Sequence, residues 1–244
     1  MSKPLTRTEA DQKMGELVRA ARLIRELRDS GCHDPRETIA QKIRRLQDVR
    51  SPELPPRVRD LRSQAPDWPV RFATEAGRVR AAMGGAVVRI EHFGSTAIFS
   101  PALSSKNVID FLVALAEPAK DRSAAVAESA LRELGYEPYG NGPCDPETDW
   151  WWKIENGEVA YVAHVCGQSN PWIETAVNFR DYMRAHPAEC SRYEEVKQRL
   201  AAEPGRSLFE YSIGKLRLFY DISGKANAWK AALTEEQPES FLET

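Results

Sequence analysis

Gly94, Ser95 and Thr96 close the segment Ile90-Glu91-His92-Phe93, and Lys106 precedes a second segment in which Asp110 is set among Val108, Ile109, Phe111, Leu112 and Val113. The layout reads as a strand, a small polar turn, a short connection and a second strand. Its physical use is to seat phosphates. Glycine lets a ligand approach the backbone, the hydroxyl residues add donors, and a carboxylate beside the turn can hold a divalent cation that bridges phosphate oxygens. The Asp110 strand is so apolar that it is expected to be buried on both faces, so its carboxylate needs a cation or backbone N–H partners. Lys106 suits either a point charge on a phosphate or a solvated lysine.

Further candidates lie downstream. Arg180 and Arg184 stand four apart on one helical face, spaced for a phosphate or carboxylate clamp, while Asp181 offers the alternative of internal ion pairing. Lys215 has a claim on phosphate similar to that of Lys106. Glu91 and His92 alternate across a strand, so only one should face the turn, and His92 reads more readily as a bonded core histidine than as a base. Trp150 and Trp152 should share a sheet face with Trp151 on the other, giving core packing in preference to a stacking wall for a base. His186-Pro187 reads as helix punctuation.

The wording Glu91-His92-Phe93-Gly94-Ser95-Thr96, then Lys106-Asn107-Val108-Ile109-Asp110, resembles the GrpB-like family of the nucleotidyltransferase superfamily. The likeness extends from about Gln64 to Lys230. It takes in Asp67-Trp68-Pro69, His164-Val165, the block from Asn178 to Pro187 with Arg180, Arg184 and His186, and Tyr193 to Lys197. It implies an α/β (α+β) fold, a small mixed sheet packed by helices. It also implies transfer of a nucleotidyl group, adenylyl when ATP is the donor, to an acceptor, or activation of a carboxylate as an adenylate for ligation. Catalysis would fall to Ser95, Lys106 and Asp110, and phosphate contacts to Gly94, Ser95, Thr96, Lys106, Arg180, Arg184 and Lys215. The superfamily's second acid, two residues after the first, is replaced by Leu112, and His164 stands where a third is expected. A single Mg²⁺ (or Mn²⁺) on Asp110 with His164 or phosphate oxygens is therefore expected. Leu112 also supports the alternative, a non-catalytic module that keeps the fold to bind a nucleotide or a partner.

The elements that must position these groups can be read from punctuation and periodicity. A helix from Phe72 to Met83 ends at Gly84-Gly85 and leads to the strand Val87–Ile90; the strand Val108–Leu115 is followed by a helix from about Ser123 to Leu134, closed by Gly135. Asn156-Gly157 between two β-rich runs predicts a hairpin. Asn170-Pro171 and Pro187 should start helices, and a last helix is expected from about Leu208, projecting Tyr211, Lys215, Leu218 and Ile222.

The chain is expected to divide into residues 1–56, a helical hairpin rich in arginine, residues 57–234, the α/β domain, and an acidic tail, residues 235–244. The arginines suit RNA, yet interleaved acids make a solvated face the preferred reading. A formal net charge of −2 provides no global field for nucleic acid, and 42% hydrophobic content suffices for a core. No apolar run is long enough for a bilayer, and the N-terminus lacks a signal-type core, so a cytoplasmic protein is expected. Cys32, Cys144, Cys166 and Cys190 show no zinc spacing and are expected as reduced, partly buried thiols.

Overall fold

The computed structural model describes residues 61–62, 65–117, 120–141, 148–202 and 214–235. The arginine-rich segment 1–56, the tail after Glu235, Cys32, Cys144 and Tyr211 lie outside the described residues.

Strand β4 (Ile109–Leu115) is the axis of the sheet. Antiparallel to it runs β2 (Val87–Phe93), and parallel to it runs β7 (Glu158–Gly167). Beyond β7 come β6 (Asp149–Glu155) and β5 (Tyr136–Asn141), both antiparallel to their neighbours, giving the order β2-β4-β7-β6-β5. A two-residue strand β1 (Leu61–Arg62) pairs separately with β3 (Ser105–Lys106). The hairpin forms where Asn156-Gly157 predicts it. Both residues adopt positive φ, 54° and 78°, as a two-residue turn matching strand twist requires. β5 was not expected from the sequence, because Tyr136-Glu137-Pro138-Tyr139-Gly140-Asn141 contains a proline and a glycine. Its edge position and a bulge between Pro138 and Gly140 accommodate both.

Every residue of β4 except Asp110 is buried, as the apolar run predicts. Ile109, Phe111, Val113 and Leu115 face α1 (Trp68–Met83) and α2 (Lys120–Glu133), packing with Trp68, Val79, Met83, Ala127 and Leu131. α1 starts four residues before the expected Phe72, because Pro69 suits a first turn. The carboxylate of Glu75, 1% exposed on α1, accepts hydrogen bonds from Tyr136 Oη at 3.0 Å and Lys153 Nζ at 2.8 Å.

On the opposite side, α3 (Trp172–Ala185), α4 (Pro187–Ala201) and α5 (Leu216–Glu235) share a second apolar cluster: Phe179, Tyr182 and Met183, Cys190 and Tyr193, and Leu218, Ile222 and Ala226. α3 starts one residue later than expected. Pro171 caps it, and Asn170 Oδ1 accepts from Trp172 N at 2.9 Å. Pro187 opens α4 as expected. Cys166 and Cys190 are free, buried thiols. No helix among the described residues is long and apolar enough to cross a membrane.

Lys153→Met leaves the buried Glu75 with the exposed Arg78, 3.2 Å away, as its remaining cationic partner, and losing the ammonium should destabilise the protein by about 1–3 kcal/mol. Urea unfolding of the variant should show a lower midpoint at an unchanged slope.

Candidate functional site

Pairing register puts two rows of side chains on the sheet face opposite α1 and α2, since directly opposed residues share a face. One row runs Phe93, Asp110, Val162, Trp152, and the next runs Glu91, Leu112, His164, Trp150. Asp110 and His164 are therefore diagonal neighbours. His164 Nε2 lies 3.6 Å from Asp110 Oδ1. The His164 ring is 4% exposed, wedged edge-on against Phe93 and tilted over Trp150, each with centroids 4.6 Å away. Both of its nitrogens are buried, and at 3.6 Å the contact to Asp110 is longer than an ordinary hydrogen bond. The imidazole thus stands beside the carboxylate with Nε2 the nitrogen nearer to it.

Asp110 keeps 30% side-chain exposure, the sole break in its strand's burial. Gly94 makes that location possible. Its φ of 74° suits glycine, and a Cβ built there would stand 2.9 Å from Asp110 Oδ2. Burial pushes the Asp110 carboxyl up, but His164, Lys106 and Lys215 together outweigh it and hold the group below its ordinary value, ionised at neutral pH. Burial lowers Lys106 in turn, with the charge of Asp110 partly offsetting the effect. The structure thus gathers Gly94, Lys106, Asp110, His164 and Lys215 from separate parts of the chain. Ser95 adjoins them in the turn Ser95–Ala97, where its Oγ lies 2.8 Å from Ser105 Oγ.

Other candidates have different surroundings. Thr96 is fully buried, with its hydroxyl 3.0 Å from His92 Nε2, so its side chain points inward. His92 lies on the α1 side, stacked on Phe72 at 4.6 Å, the bonded core histidine that the sequence favours. Arg180 donates to Glu91 Oε2 at 2.8 Å, to the His92 carbonyl at 2.9 Å and to Asp181 Oδ1 at 2.8 Å. Arg184 donates twice to the Ala97 carbonyl, at 2.9 and 2.6 Å, and lies over the exposed ring of Phe99. These guanidiniums brace the turn from behind, where the expectation was a phosphate clamp. Trp151 sits in the core with Arg132 over its ring, while Trp150 and Trp152 occupy the other face, as alternation predicts.

Could Glu91 replace the acid missing at Leu112? It lies directly across from Leu112 on the same face. Burial raises its pKa, yet hydrogen bonds and charge from Arg180 and Arg89 outweigh that and keep it ionised, with both oxygens taken. The donor set fits one cation, one carboxylate and one imidazole whose ligand atoms are slightly farther apart than the roughly 3 Å between adjacent ligands of a small octahedral ion. No cluster of three potential ligands occurs among the described residues.

Two groups that the sequence did not single out belong to the site's frame. Glu194 and Lys197 of α4 bind Ser104, just before β3. Their only signal was inclusion in the Tyr193-to-Lys197 stretch.

A five-stranded mixed sheet packed by helices, with a glycine-serine turn beside a strand aspartate, defines a protein of the mixed α/β class that the resemblance implies. Residues 59–225 match the GrpB protein family, and the chain belongs to it. A UPF0157 protein of Halalkalibacterium halodurans is 30% identical over 187 residues, 75% of this chain and 91% of the relative. The crystal structure of the conserved protein GrpB from Enterococcus faecalis aligns at a TM-score of 0.60 and 25% identity, covering 70% of this chain and 99% of that one. Terminal uridylyl transferase 4 from Trypanosoma brucei with bound dUTP is a distant likeness, at a TM-score of 0.39 and 14% identity over 64% of this chain and 53% of that one.

Gly94→Ala forces a methyl into the carboxylate at a backbone angle that disfavours alanine, and should cost about 1–3 kcal/mol in thermal or urea unfolding. His92 gives a pH signature. Burial lowers it from 6.5 to about 4, so the unfolded chain binds the extra proton between those values. Stability from this group is complete above 6.5 and falls as pH drops towards 4, by a total on the order of 3 kcal/mol. Unfolding curves of His92→Phe compared with the parent should show this slope removed.

Proposed function

We propose that this chain binds a nucleoside triphosphate with one divalent cation and transfers its nucleotidyl group, adenylyl for ATP, to an acceptor nucleophile. The observation that carries this reading is the convergence of Lys106, Lys215 and the buried imidazole of His164 on one part-exposed carboxylate at the glycine-serine turn. A buried strand does not keep a lone ionised aspartate open to solvent for packing. Two lysines beside it favour polyphosphate, and the carboxylate adds the one feature that polyphosphate alone would repel, a seat for its counter-cation.

Asp110 and His164 would hold Mg²⁺ or Mn²⁺, which when bound offsets charge on the phosphate oxygens and polarises the reacting phosphorus. The chain's own groups then divide the remaining work. Lys106 and Lys215 neutralise non-bridging and leaving-group oxygens, and the Gly94-Ser95 turn fixes the phosphates in line with the acceptor. The acceptor oxygen or nitrogen forms its bond to the α-phosphorus as the bond to the bridging oxygen breaks. Pyrophosphate carries away that electron pair, and the acceptor's proton passes to water. An acceptor carboxylate would give an acyl adenylate ready for ligation.

A second reading is a nucleotide- or partner-binding module without turnover. Leu112, 1% exposed where a second acid would stand, favours it, because one carboxylate gives no second metal position. The arginines before Pro52 are the segment we propose for any RNA contact, and the cytoplasm, with its nucleotide pool, is the proposed compartment.

The two readings separate in one assay. With ATP, MnCl₂ or MgCl₂ and a panel of hydroxyl, amine and carboxylate acceptors, the enzyme reading expects cation-dependent pyrophosphate release that Asp110→Asn lowers by about a hundredfold or more. Cation-dependent ATP binding with no release for any acceptor selects the binding module. Release unaffected by Asp110→Asn overturns the proposed site.

A further inference from the structure

The connection from the turn to the Asp110 strand is held from outside the sheet. Ile98 and Leu103, both 1% exposed, anchor it among Phe179, Tyr182 and Met183 of α3 and Tyr193 of α4. Between that anchor and the site stands Ser104, and one stretch of α4 engages all of its polar groups. Glu194 Oε2 accepts from Ser104 N at 2.9 Å, and Glu194 Oε1 accepts from its hydroxyl. Lys197 Nζ donates to the Ser104 carbonyl and lies 3.4 Å from Glu194 Oε2. Gln198 Nε2 donates to Glu194 Oε1 at 2.6 Å and reaches the Ser104 hydroxyl at 3.3 Å. The next residue, Ser105, meets Ser95 Oγ, and the one after it is Lys106.

We infer that Glu194 and Lys197 are positioning residues: they grip Ser104 and thereby set Ser105 against Ser95 and Lys106 beside Asp110. Three observations support this. Lys197 is 1% exposed although it is a lysine, a placement that costs desolvation and that an apolar side chain would avoid. The apolar anchor at Ile98 and Leu103 already attaches the loop, so the polar grip adds direction more than adhesion. It also acts on the residue immediately before the two that contact or flank the site, across a chain separation of 93 residues for Lys197. A bond to a backbone N–H and a bond to the carbonyl of the same residue together fix the peptide planes on both sides of it, and so the direction in which the following residues leave. Lys106 is near enough for its charge to be felt at Lys197, which places the grip within reach of the phosphate-facing groups.

The consequence for binding rests on the function proposed above, whereas the local ordering does not, and the experiment keeps the two apart. Full-length parent, Lys197→Met, Glu194→Gln and the milder Ser104→Ala are compared by amide hydrogen exchange. Their binding of inorganic tripolyphosphate with MnCl₂ is measured by calorimetry, with Asp110→Asn as the control for the site. Exchange across 94–106 should quicken by about tenfold in Lys197→Met and Glu194→Gln while that of 109–115 stays at the parent rate, with a smaller change of the same pattern in Ser104→Ala. Tripolyphosphate affinity should fall by about tenfold, and Lys197→Arg should recover part of it. Unchanged exchange across 94–106, or equal quickening of both segments, overturns the inference; if Lys197→Met does not fold, the same two outcomes are read from Ser104→Ala. Local quickening in a parent that binds no tripolyphosphate leaves the grip standing and removes the nucleotide reading. Loss of binding in Asp110→Asn with full binding in Lys197→Met and Glu194→Gln does the reverse.

Discussion

A negative charge in the middle of a sheet must be offset, and the arrangement around Asp110 follows from that constraint. The strand is covered on one face by α1 and α2, and on the other the residues after Asp110 are buried as well. Only the end carrying Asp110 stays open. There the backbone of Gly94 approaches without a side chain, His164 comes in from β7, and two lysines arrive from β3 and from the residue just before the last helix. Each partner relieves part of the desolvation that burial imposes. Their sum leaves a carboxylate that is ionised, cornered and still reachable.

The neighbouring row shows a different use of charge. Glu91 lies across from Leu112, but Arg89 and Arg180 take its oxygens, and Arg180 also holds the backbone of His92. Arg184 does the same for Ala97 on the far side of the turn. α3 therefore fixes the turn by guanidinium contacts to main-chain carbonyls, whose planar fork suits two bonds to one oxygen. The acid and both arginines are committed to shape. Strand, turn and helical bundle meet through the short connection 94–106, and its two ends are held by different means, arginines from α3 at one and the Glu194-Lys197 pair from α4 at the other.

Local signals decided most of the architecture. Asn156-Gly157 specifies its turn because both positions need positive φ; Pro187 specifies a helix start because it lacks the N–H that a first turn leaves unused; the run Ile109 to Leu115 specifies a doubly covered strand because nothing polar but Asp110 interrupts it. β5 escaped such reading because its Pro138 and Gly140 are tolerated only at an edge next to a bulge, and an edge exists only once β6 is in place.

What the sequence determined by itself was the inventory of the site: a glycine-serine turn, one aspartate in an apolar strand, a leucine at the second acid position and a family likeness that covers the whole sheet. Those are properties of adjacent residues, fixed by periodicity and backbone preference. The tertiary structure alone decided their partners. It turned Arg180 and Arg184 to the rear of the turn, directed the Thr96 hydroxyl to His92, set the imidazole of His164 3.6 Å from Asp110, and buried Lys197 against Ser104. Charges and hydrogen bonds act over a few ångströms of space with no regard for distance along the chain, so groups 93 residues apart become neighbours only when sheet register and helix packing bring them together.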